Sequence, residues 1–548
     1  MSDPSNARAG TSAGSGASAW VGAALLIAGV TIVARVIGFL RFVVLARTAG
    51  TSCLGDVYAT ANAVPNIIYE VVVGGALVAV VVPLVAGARE TDPTRVRAMV
   101  AALHGWSLLL LIPITALMYV GSTWVIQVLL GSGGSCGSEA PMVARDMLWV
   151  FLLQIPVYGA TVIAQGSLQA HHRFFAPAVA PAVSSVVVIG SYLWYASVAG
   201  DDASSLDALT TGEFWILAGG TTVGVIALLL VQVPALTRAR LIVRPSLTFP
   251  DGRTGQARTL AWSGAVVVGV QWVGYAAAIR WSNVYGSEGS ALVFVLGWTL
   301  FLLPWSILVL PIATSTFPRL SALYERGDLS GTADTTAQSL RAVVVASVIG
   351  AAGLAAAAQP LAVIIVEGVP GESSVDVLAA LLTALALGVL GYGVHGHLVR
   401  VLAARREAPS AAWGTALGWG CGIGGAGLLV TRAQGAEQVA TSIGAGFSLG
   451  LVVAAVILLV ALVRYAGKPA FAGVLRVSLA AVAAGAVVGT AGRLWLDEAN
   501  TSVGIAIVQV LVVGVAALVV VGGAAAATDP GTVRTLLRMR VRSAGDVS

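Results

Sequence analysis

The sequence predicts an all-α polytopic membrane protein with about 14 transmembrane helices. Hydrophobic residues make up 57% of its 548 residues and charged residues only 10%, and the mean hydropathy is +0.91. A soluble protein carries about 25% charged residues, so this composition excludes an ordinary soluble domain. Apolar runs of about 20 residues, the length that crosses a bilayer core, recur along almost the whole chain.

Fourteen such runs define the predicted helices, with boundary errors of a few residues. None of the loops between them is long enough for a separate globular domain. Prolines inside four runs (Pro113, Pro156, Pro304 and Pro311) should bend the helix axis, because proline removes a backbone hydrogen bond. The predicted spans are 20–46, 60–87, 98–130, 142–168, 174–199, 213–237, 257–283, 290–317, 340–359, 374–401, 409–431, 438–464, 471–492 and 502–527.

The distribution of positive charge predicts the orientation. Most of the 30 Lys and Arg residues fall in the even-numbered loops and in the two tails, whereas the odd-numbered loops are short and often acidic. Loops on the cytoplasmic side carry the excess of basic residues in membrane proteins. We therefore expect an even number of spans with both termini in the cytoplasm.

The longest cytoplasmic loop divides the first twelve spans into two sets of six. Paired halves of this kind are typical of transporters with a binding site between them, near the middle of the membrane. The predicted organisation is a disordered cytoplasmic tail (1–19), an N-terminal six-helix lobe (20–237), an inter-lobe loop (238–256), a C-terminal six-helix lobe (257–464), two additional helices (465–527) and a basic cytoplasmic tail (528–548).

Arg35 and Arg41 lie inside the first apolar run. A charge at the bilayer centre costs about 2.5–3.5 kcal/mol, so two on one helix should not face lipid. Six positions separate them by about 9 Å along a helix and about 120° around it, which lets both reach a broad cavity. Guanidinium groups suit phosphates. We predict that both bind an anionic ligand in a hydrated cavity; alternatively, an internal carboxylate neutralises one and its role is structural.

Three polar residues are candidates for a gate or an ion pair. Glu70 follows Asn66 in the second span and is the obvious internal counter-charge. Glu70 either forms a latch with an arginine that breaks when ligand arrives, or is protonated or bonded to a hydroxyl group. Asp56 lies in the predicted first outer loop, where it caps the second helix, bridges to Arg47, remains a solvated loop charge or makes a gate contact. We therefore assign Asp56, Asn66 and Glu70 as gate or ion-pair candidates.

No metal or cofactor site is predicted. Cys53, Cys136 and Cys421 are widely spaced without a CxxC pattern, and their spacing fixes neither a disulfide nor a metal site. His395 and His397 have no Cys, Asp or Glu at ligand spacing.

Nothing in the sequence favours an enzyme. The chain lacks a Walker A sequence and any carboxylate pair or Ser/His/Asp set that would indicate catalysis. Gly422, Gly424 and Gly427 form a GxGxxG pattern, but this pattern lies inside an apolar span with no preceding strand. Close helix packing explains these glycines better than nucleotide binding does.

Several segments together identify a family resemblance. They are ARVIGFLR (34–41), LARTAG (45–50), GDVYATANAVPNII (55–68), VVPLVAG (81–87), HRFFAPAVAPAV (172–183), PWSILVLPIATSTFPRLS (304–321) and QPLAVIIVEG (359–368). In this order they resemble the MviN/MurJ family of lipid II flippases, which belongs to a superfamily of flippases and drug exporters with two six-helix lobes. The resemblance implies movement of undecaprenyl-pyrophosphate-linked peptidoglycan precursor from the inner to the outer leaflet of a bacterial cytoplasmic membrane.

The resemblance also assigns residues. The two first-helix arginines of the family fall on Arg35 and Arg41, and its acidic residue after the first loop falls on Asp56. The cavity should be less cationic than is typical, because Glu70 follows Pro-Asn where the family is basic and Thr299 lies near an expected arginine. The seventh, eleventh and twelfth spans carry no acidic residue for the sodium site of some members.

The residues and the resemblance together predict an alternating-access flippase. The alternatives are a flippase for another polyprenyl-linked glycan, a drug exporter of the same superfamily, and a non-transporting scaffold for cell-wall enzymes. The expected partners are lipid II or a related polyprenyl-pyrophosphate glycan and the membrane lipids, with cell-wall synthesis and division proteins as candidates. No nucleic acid and no cofactor is expected.

Overall fold

The computed structural model describes residues 13–71, 93–131, 136–248, 254–371, 375–496 and 502–531. Within these ranges the chain is almost entirely helical, and β-type pairing is limited to one isolated bridge between Thr51 and Gly371. The predicted all-α membrane fold is thus confirmed. Residues 1–12, residues 532–548 and the predicted second span beyond residue 71, with its motif at 81–87, lie outside the described residues.

Ten α-helices lie within the described residues of the first half of the chain. They are α1 (Ala13–Ala49), α2 (Cys53–Ile68), α3 (Pro93–Val120), α4 (Ser122–Leu130), α5 (Ala140–Leu152), α6 (Gln154–Ala170), α7 (Phe175–Ala199), α8 (Thr211–Phe214), α9 (Gly220–Leu230) and α10 (Val233–Arg238). A π-helical turn, Trp215–Gly219, joins α8 to α9. Helix α1 begins at Ala13, so residues 13–19 of the predicted tail are helical.

The part of the second half that the structure describes contains ten more α-helices. They are α11 (Thr254–Tyr285), α12 (Ser290–Pro304), α13 (Leu310–Glu325), α14 (Leu329–Ala356), α15 (Ala358–Val366), α16 (Val375–Ala404), α17 (Ala408–Val430), α18 (Ala436–Ala466), α19 (Val474–Leu496) and α20 (Val503–Thr528). A second π-helical turn, Trp305–Val309, joins α12 to α13.

Eleven helical segments in the described ranges are long and apolar enough to cross a membrane. The three remaining predicted spans fall on α2, α11 and α17, which are not among these eleven. The total of about 14 spans and the division into two lobes plus two helices therefore stay predictions. An apolar chain favours this architecture, because a helix satisfies every backbone hydrogen bond without water.

The predicted proline bends are only partly found. Pro304 ends α12 at a π-helical turn, and Pro311 lies in the first turn of α13, where its missing N–H costs nothing. Pro156 follows the break between α5 and α6. Pro113, in contrast, lies inside α3, which continues to Val120.

A continuous buried core joins the two halves of the chain. Tyr58 of α2 and Phe151 of α5 make an edge contact in the first half. In the second half, Phe294 and Trp298 of α12 pack against Phe447 of α18. All of these side chains belong to one cluster of buried residues. The ends of α2 and α12 that enter this core are therefore held together by apolar burial, which favours contact between the halves.

Helices α17 and α18 pack backbone to backbone at small residues. A methyl group on Gly418 would lie 2.4 Å from the Cβ of Ala454, and one on Gly422 would lie 3.0 Å from the Cα of Gly450. In the GxGxxG pattern, Gly427 also contacts a neighbour, whereas Gly424 has nothing within 4 Å. Helix packing thus accounts for two of its three glycines.

Gly418→Ala is expected to destabilise the protein, because its added methyl group cannot fit against α18. Such overpacking costs about 1–3 kcal/mol. Gly424→Ala is the matched control, since the same change in open space should be neutral or stabilising. Thermal unfolding in detergent measures both. A melting temperature of the Gly418 variant equal to that of the control would contradict this packing.

Candidate functional site

A cavity of about 540 Å³ lies between helices of the first and second halves. Its walls come from α1, from α7 and the end of α6, and from α12 with the following π-helical turn. Both Arg35 and Arg41 line it, although they point in different directions from the helix axis. The other lining residues are Thr31, Ala34, Gly38, Phe39, Phe42, Gln169, Phe174, Pro177, Ala178, Pro181, Ser185, Thr299, Leu302, Leu303 and Ser306.

The two arginines sit in different surroundings within this cavity. Arg35 is exposed, whereas Arg41 is half-buried and its guanidinium carbon lies 4.7 Å from the centre of the Phe42 ring. Arg41 is also close enough to the hydroxyl groups of Tyr158 and Tyr192 to interact with them electrostatically. In the described part of the chain, neither arginine forms an ion pair with a carboxylate. Their donors therefore remain available to an anion that enters the cavity.

Glu70 and Asn66 have different roles at the end of the described part of the second predicted span. Glu70 is half-buried and interacts electrostatically with Arg35, but the two side chains are not within ion-pair distance. Asn66 donates from Nδ2 to the Asn62 carbonyl oxygen at 2.8 Å and accepts a 3.1 Å bond from the Tyr158 hydroxyl. The structure thus brings Glu70 near an arginine, and it makes Asn66 a partner of Tyr158.

Asp56 caps a helix in the other half of the molecule. It lies in the first turn of α2, not in a loop as the sequence suggested, and is 2% exposed. Its Oδ2 accepts the N–H of Gly289 at 2.8 Å, and its Oδ1 accepts the N–H of Leu292 at 3.0 Å. These N–H groups lie at the start of α12, where amides lack intrahelical partners and the helix dipole favours an anion.

This geometry excludes three interpretations of Asp56, the first being a solvated loop charge, because its side chain is buried. It does not cap its own helix, and it does not bridge to Arg47, which instead donates to the Ile364 carbonyl oxygen at 3.0 Å. The two corrected interpretations assumed a local partner, whereas the actual partners lie more than 230 residues away. Asp56 instead makes a contact between the two halves of the chain, and its role as a gate stays a prediction.

Thr51 closes the same side of the molecule by direct backbone contact. It lies between α1 and α2, is 0% exposed, and donates its N–H to the Pro370 carbonyl oxygen at 2.7 Å. A methyl group on Gly289 would lie 2.1 Å from the Thr51 carbonyl oxygen, and one on Gly371 would lie 1.9 Å from it. We call Thr51, Asp56, Gly289, Leu292 and the pair Pro370–Gly371 the gate.

Further polar contacts extend this closure. Asn283 of α11 donates to the Thr60 hydroxyl at 2.9 Å and to the Leu129 carbonyl oxygen at 3.1 Å. Arg280, also on α11, donates to the Val128 carbonyl oxygen. Helices α2 and α4 and the segment that contains Thr51 therefore all contact the second half on the side of the gate.

A disulfide between Cys53 and Cys136 lies beside the gate, and our sequence analysis did not anticipate it. It ties the first residue of α2 to the segment that leads into α5. Both cysteines fall in loops predicted on the same outer side of the membrane, and disulfides persist in oxidising compartments. That shared side was a usable signal, whereas Cys421 lies in a predicted span and is free.

Buried polar residues in the first half also escaped the sequence analysis. The Tyr58 hydroxyl bonds to the hydroxyls of Tyr192 at 2.6 Å and Thr221 at 2.7 Å. Gln154 donates to the Thr222 hydroxyl at 3.0 Å. No spacing pattern in the sequence predicts which isolated hydroxyl and amide groups in apolar runs will pair. Only the fold shows that these groups are hydrogen-bonded to one another. Each group satisfies another in a region without water, as membrane interiors require.

His395 and His397 form hydrogen bonds with hydroxyl groups. His395 Nε2 lies 2.8 Å from the Thr415 hydroxyl, and His397 Nε2 lies 3.0 Å from the Ser339 hydroxyl. Among the residues that the structure describes, no three His, Cys, Asp or Glu side chains are grouped to hold a metal ion.

Comparison with known protein families decides the classification. The family model described as "Lipid II flippase MurJ" matches residues 45–513. The chain belongs to this family. As a member of a flippase family, it is a transporter and a multi-span membrane protein.

Curated relatives agree with the family assignment. A probable lipid II flippase MurJ of Vibrio cholerae is 26% identical over 394 residues, which cover 68% of this chain and 70% of that protein. A probable lipid II flippase MurJ of Rhizobium meliloti is 24% identical over 371 residues, which cover 66% of each.

Solved structures support the fold. A lipid II flippase MurJ in an inward closed conformation has a TM-score of 0.68 at 16% identity, and the match covers 91% of this chain and 98% of that one. An inward-facing multidrug resistance transporter of the MATE family has a TM-score of 0.61 at 15% identity, covering 81% of this chain and 98% of that one. At these identities the likeness establishes the fold alone.

Gly371→Ala is expected to prevent full closure of the gate, since the added methyl group would collide with the Thr51 carbonyl oxygen. Gly435→Ala is a matched control. Gly435 has nearly the same φ, +133° against +134°, but has open space where a Cβ would lie. Hydrogen exchange at the Thr51 amide should rise about tenfold in the Gly371 variant only, as expected for a clash that costs about 1–3 kcal/mol. Equal exchange in both variants would contradict the closed gate.

Proposed function

We propose that this protein carries lipid II, the undecaprenyl-pyrophosphate-linked peptidoglycan precursor, from the inner to the outer leaflet of the bacterial cytoplasmic membrane. Membership in the MurJ family supports this substrate. The observation that carries the mechanism is the position of Arg35 and Arg41 in one cavity between the halves, while the gate is closed elsewhere. This arrangement fits one state of an alternating-access cycle.

The pyrophosphate of the substrate binds between the two arginines in this proposal. Each guanidinium donates parallel hydrogen bonds to phosphate oxygens, and the two together match the charge of a pyrophosphate. Thr299 and Ser306 also line the cavity, and because their hydroxyl groups donate to the carbonyl oxygens of Val295 and Leu303, they accept hydrogen bonds from hydroxyl or amide groups of the bound headgroup. The polyprenyl tail stays in lipid, so the cavity encloses only the polar part of the substrate.

The gate faces the outside of the cell in our proposed orientation, and both termini are cytoplasmic. The excess of basic residues in the even-numbered loops supports this orientation. The Cys53–Cys136 disulfide supports it independently, because disulfides are rare in the reducing cytoplasm. In this state the cavity is therefore closed to the outside.

Transport requires the gate to open while the opposite side closes. Opening separates Asp56 from the amides of Gly289 and Leu292, and Thr51 from Pro370. The lost hydrogen bonds are offset when water reaches these groups on the outer side. Each charge that crosses feels about 2.3 kcal/mol per 100 mV, so an inside-negative potential favours outward movement of the anionic headgroup.

Replacing both Arg35 and Arg41 with alanine should abolish most translocation. A hydrogen bond to a charged group contributes about 1.5–3 kcal/mol, so we expect at least about a tenfold loss of lipid II flux in proteoliposomes. The Arg35→Lys, Arg41→Lys variant should retain part of the flux, since it keeps the charges but loses the planar fork.

Arg432→Ala is the control, because Arg432 is exposed and lies outside the cavity. Unchanged flux in the double alanine variant at equal expression would remove the proposed site. The same vesicles loaded with another polyprenyl-linked glycan, or with a cationic drug, test the alternative substrates. Faster movement of either than of lipid II would overturn the substrate assignment.

Glu70→Gln distinguishes the two interpretations of Glu70. If its carboxylate competes with substrate for Arg35, its neutralisation should tighten the binding of undecaprenyl pyrophosphate by up to about fivefold, the range of an exposed ion pair. Native mass spectrometry of the purified protein measures this affinity. Glu325→Gln, at the exposed end of α13, is the control. An unchanged affinity at neutral pH would mean that Glu70 is already neutral.

A further inference from the structure

The first turn of α2 carries both a disulfide and the gate carboxylate. Cys53 is 9% exposed and is bonded to Cys136, four residues before the start of α5. Asp56 follows Cys53 by three positions, which places the two side chains on one face of the helix. Every residue from position 53 to 61 is buried.

The position of this turn decides whether the gate can form. The carboxylate of Asp56 must reach two amides of α12 at 2.8 and 3.0 Å, and hydrogen bonds weaken steeply with small changes in distance and angle. The main chain also restrains the start of α2, since the segment that joins it to α1 is only three residues long, but this segment belongs to the gate itself. The disulfide is a second covalent restraint, and it ties the start of α2 to the segment before α5.

We propose that the Cys53–Cys136 disulfide is a positioning device for Asp56. It fixes the start of α2 to the segment before α5, so that the carboxylate moves with the first half of the molecule and meets α12 in one geometry. Without the bond, the first turn of α2 has more freedom, and the gate is open for a larger share of the time. The effect of this gate opening on transport rests on the proposed function.

The disulfide is formed by thiol–disulfide exchange outside the cytoplasm. Its formation removes two protons and two electrons from the thiols of Cys53 and Cys136. The acceptor is the disulfide of an extracytoplasmic thiol oxidoreductase, which is reduced to two thiols. The gate of a newly inserted chain therefore reaches its full closed population only after this oxidation.

Amide hydrogen exchange at Gly289 and Leu292 tests the proposal without substrate. These amides belong to the second half of the chain, so a disulfide within the first half affects them through the contact between the two halves, of which the gate is a part. In the Cys53→Ser, Cys136→Ser variant we expect their exchange to accelerate about threefold, the effect of a modest shift in the open population. Cys421→Ser is the matched control, because it removes the one cysteine that is free among the described residues.

A double-mutant cycle separates positioning from general stabilisation. Asp56→Asn should accelerate the same amides, and removal of the disulfide should then add little, because the contact it positions is already weakened. Exchange that rises equally in α16 and α18 would show a merely structural bond and would overturn the proposal. So would unchanged exchange at Gly289 and Leu292, or free thiols at Cys53 and Cys136 in non-reducing peptide mapping of the wild-type protein. None of these results bears on the arginine cavity, whose test is translocation.

Discussion

A carboxylate that caps a helix across the molecule is the contact on which the closed state depends. The first amides of α12 have no partners within the helix, and in an apolar environment an unsatisfied amide is costly. Asp56 satisfies two of them from the other half of the chain. A buried carboxylate without hydrogen-bond partners has a high free energy, so Asp56 favours contact between the halves. This preference lasts until water takes the place of the amides as its partner.

Charged side chains at the gate and in the cavity differ in what satisfies them. At the gate, one acidic side chain is buried and satisfied by backbone dipoles within the protein. In the cavity, Arg35 and Arg41 are left without a carboxylate partner among the described residues, and water or an anion must satisfy them. Internal ion pairs would occupy the donors that these arginines can otherwise offer to a phosphate. The open cavity is thus consistent with a binding role.

The sequence predicts this fold better than it predicts its contacts. Apolar run length fixes the helical class, and Arg35 and Arg41 are conspicuous because charges are rare in such runs. The partners of Asp56 were beyond reach, since Gly289 and Leu292 look like ordinary loop and helix residues and lie more than 230 positions away. The disulfide was missed for a different reason. Spacing rules for cysteines describe local motifs, whereas Cys53 and Cys136 are joined over 83 residues by the shared side of the membrane on which they lie.

Two helices connect the cavity to the gate, and this connection is what alternating access needs. Helix α12 begins at the amides that Asp56 caps, and it carries Thr299 and Leu303 in the cavity wall about 14 and about 20 Å further along. Helix α1 runs in the same way from Arg35 to the segment that contains Thr51. In the proposed mechanism, a headgroup that draws the arginines of α1 toward the wall formed by α12 changes the angle between these two helices, whose far ends form the gate. Binding and opening are then biased by one movement, and no chain of intermediate side chains is required.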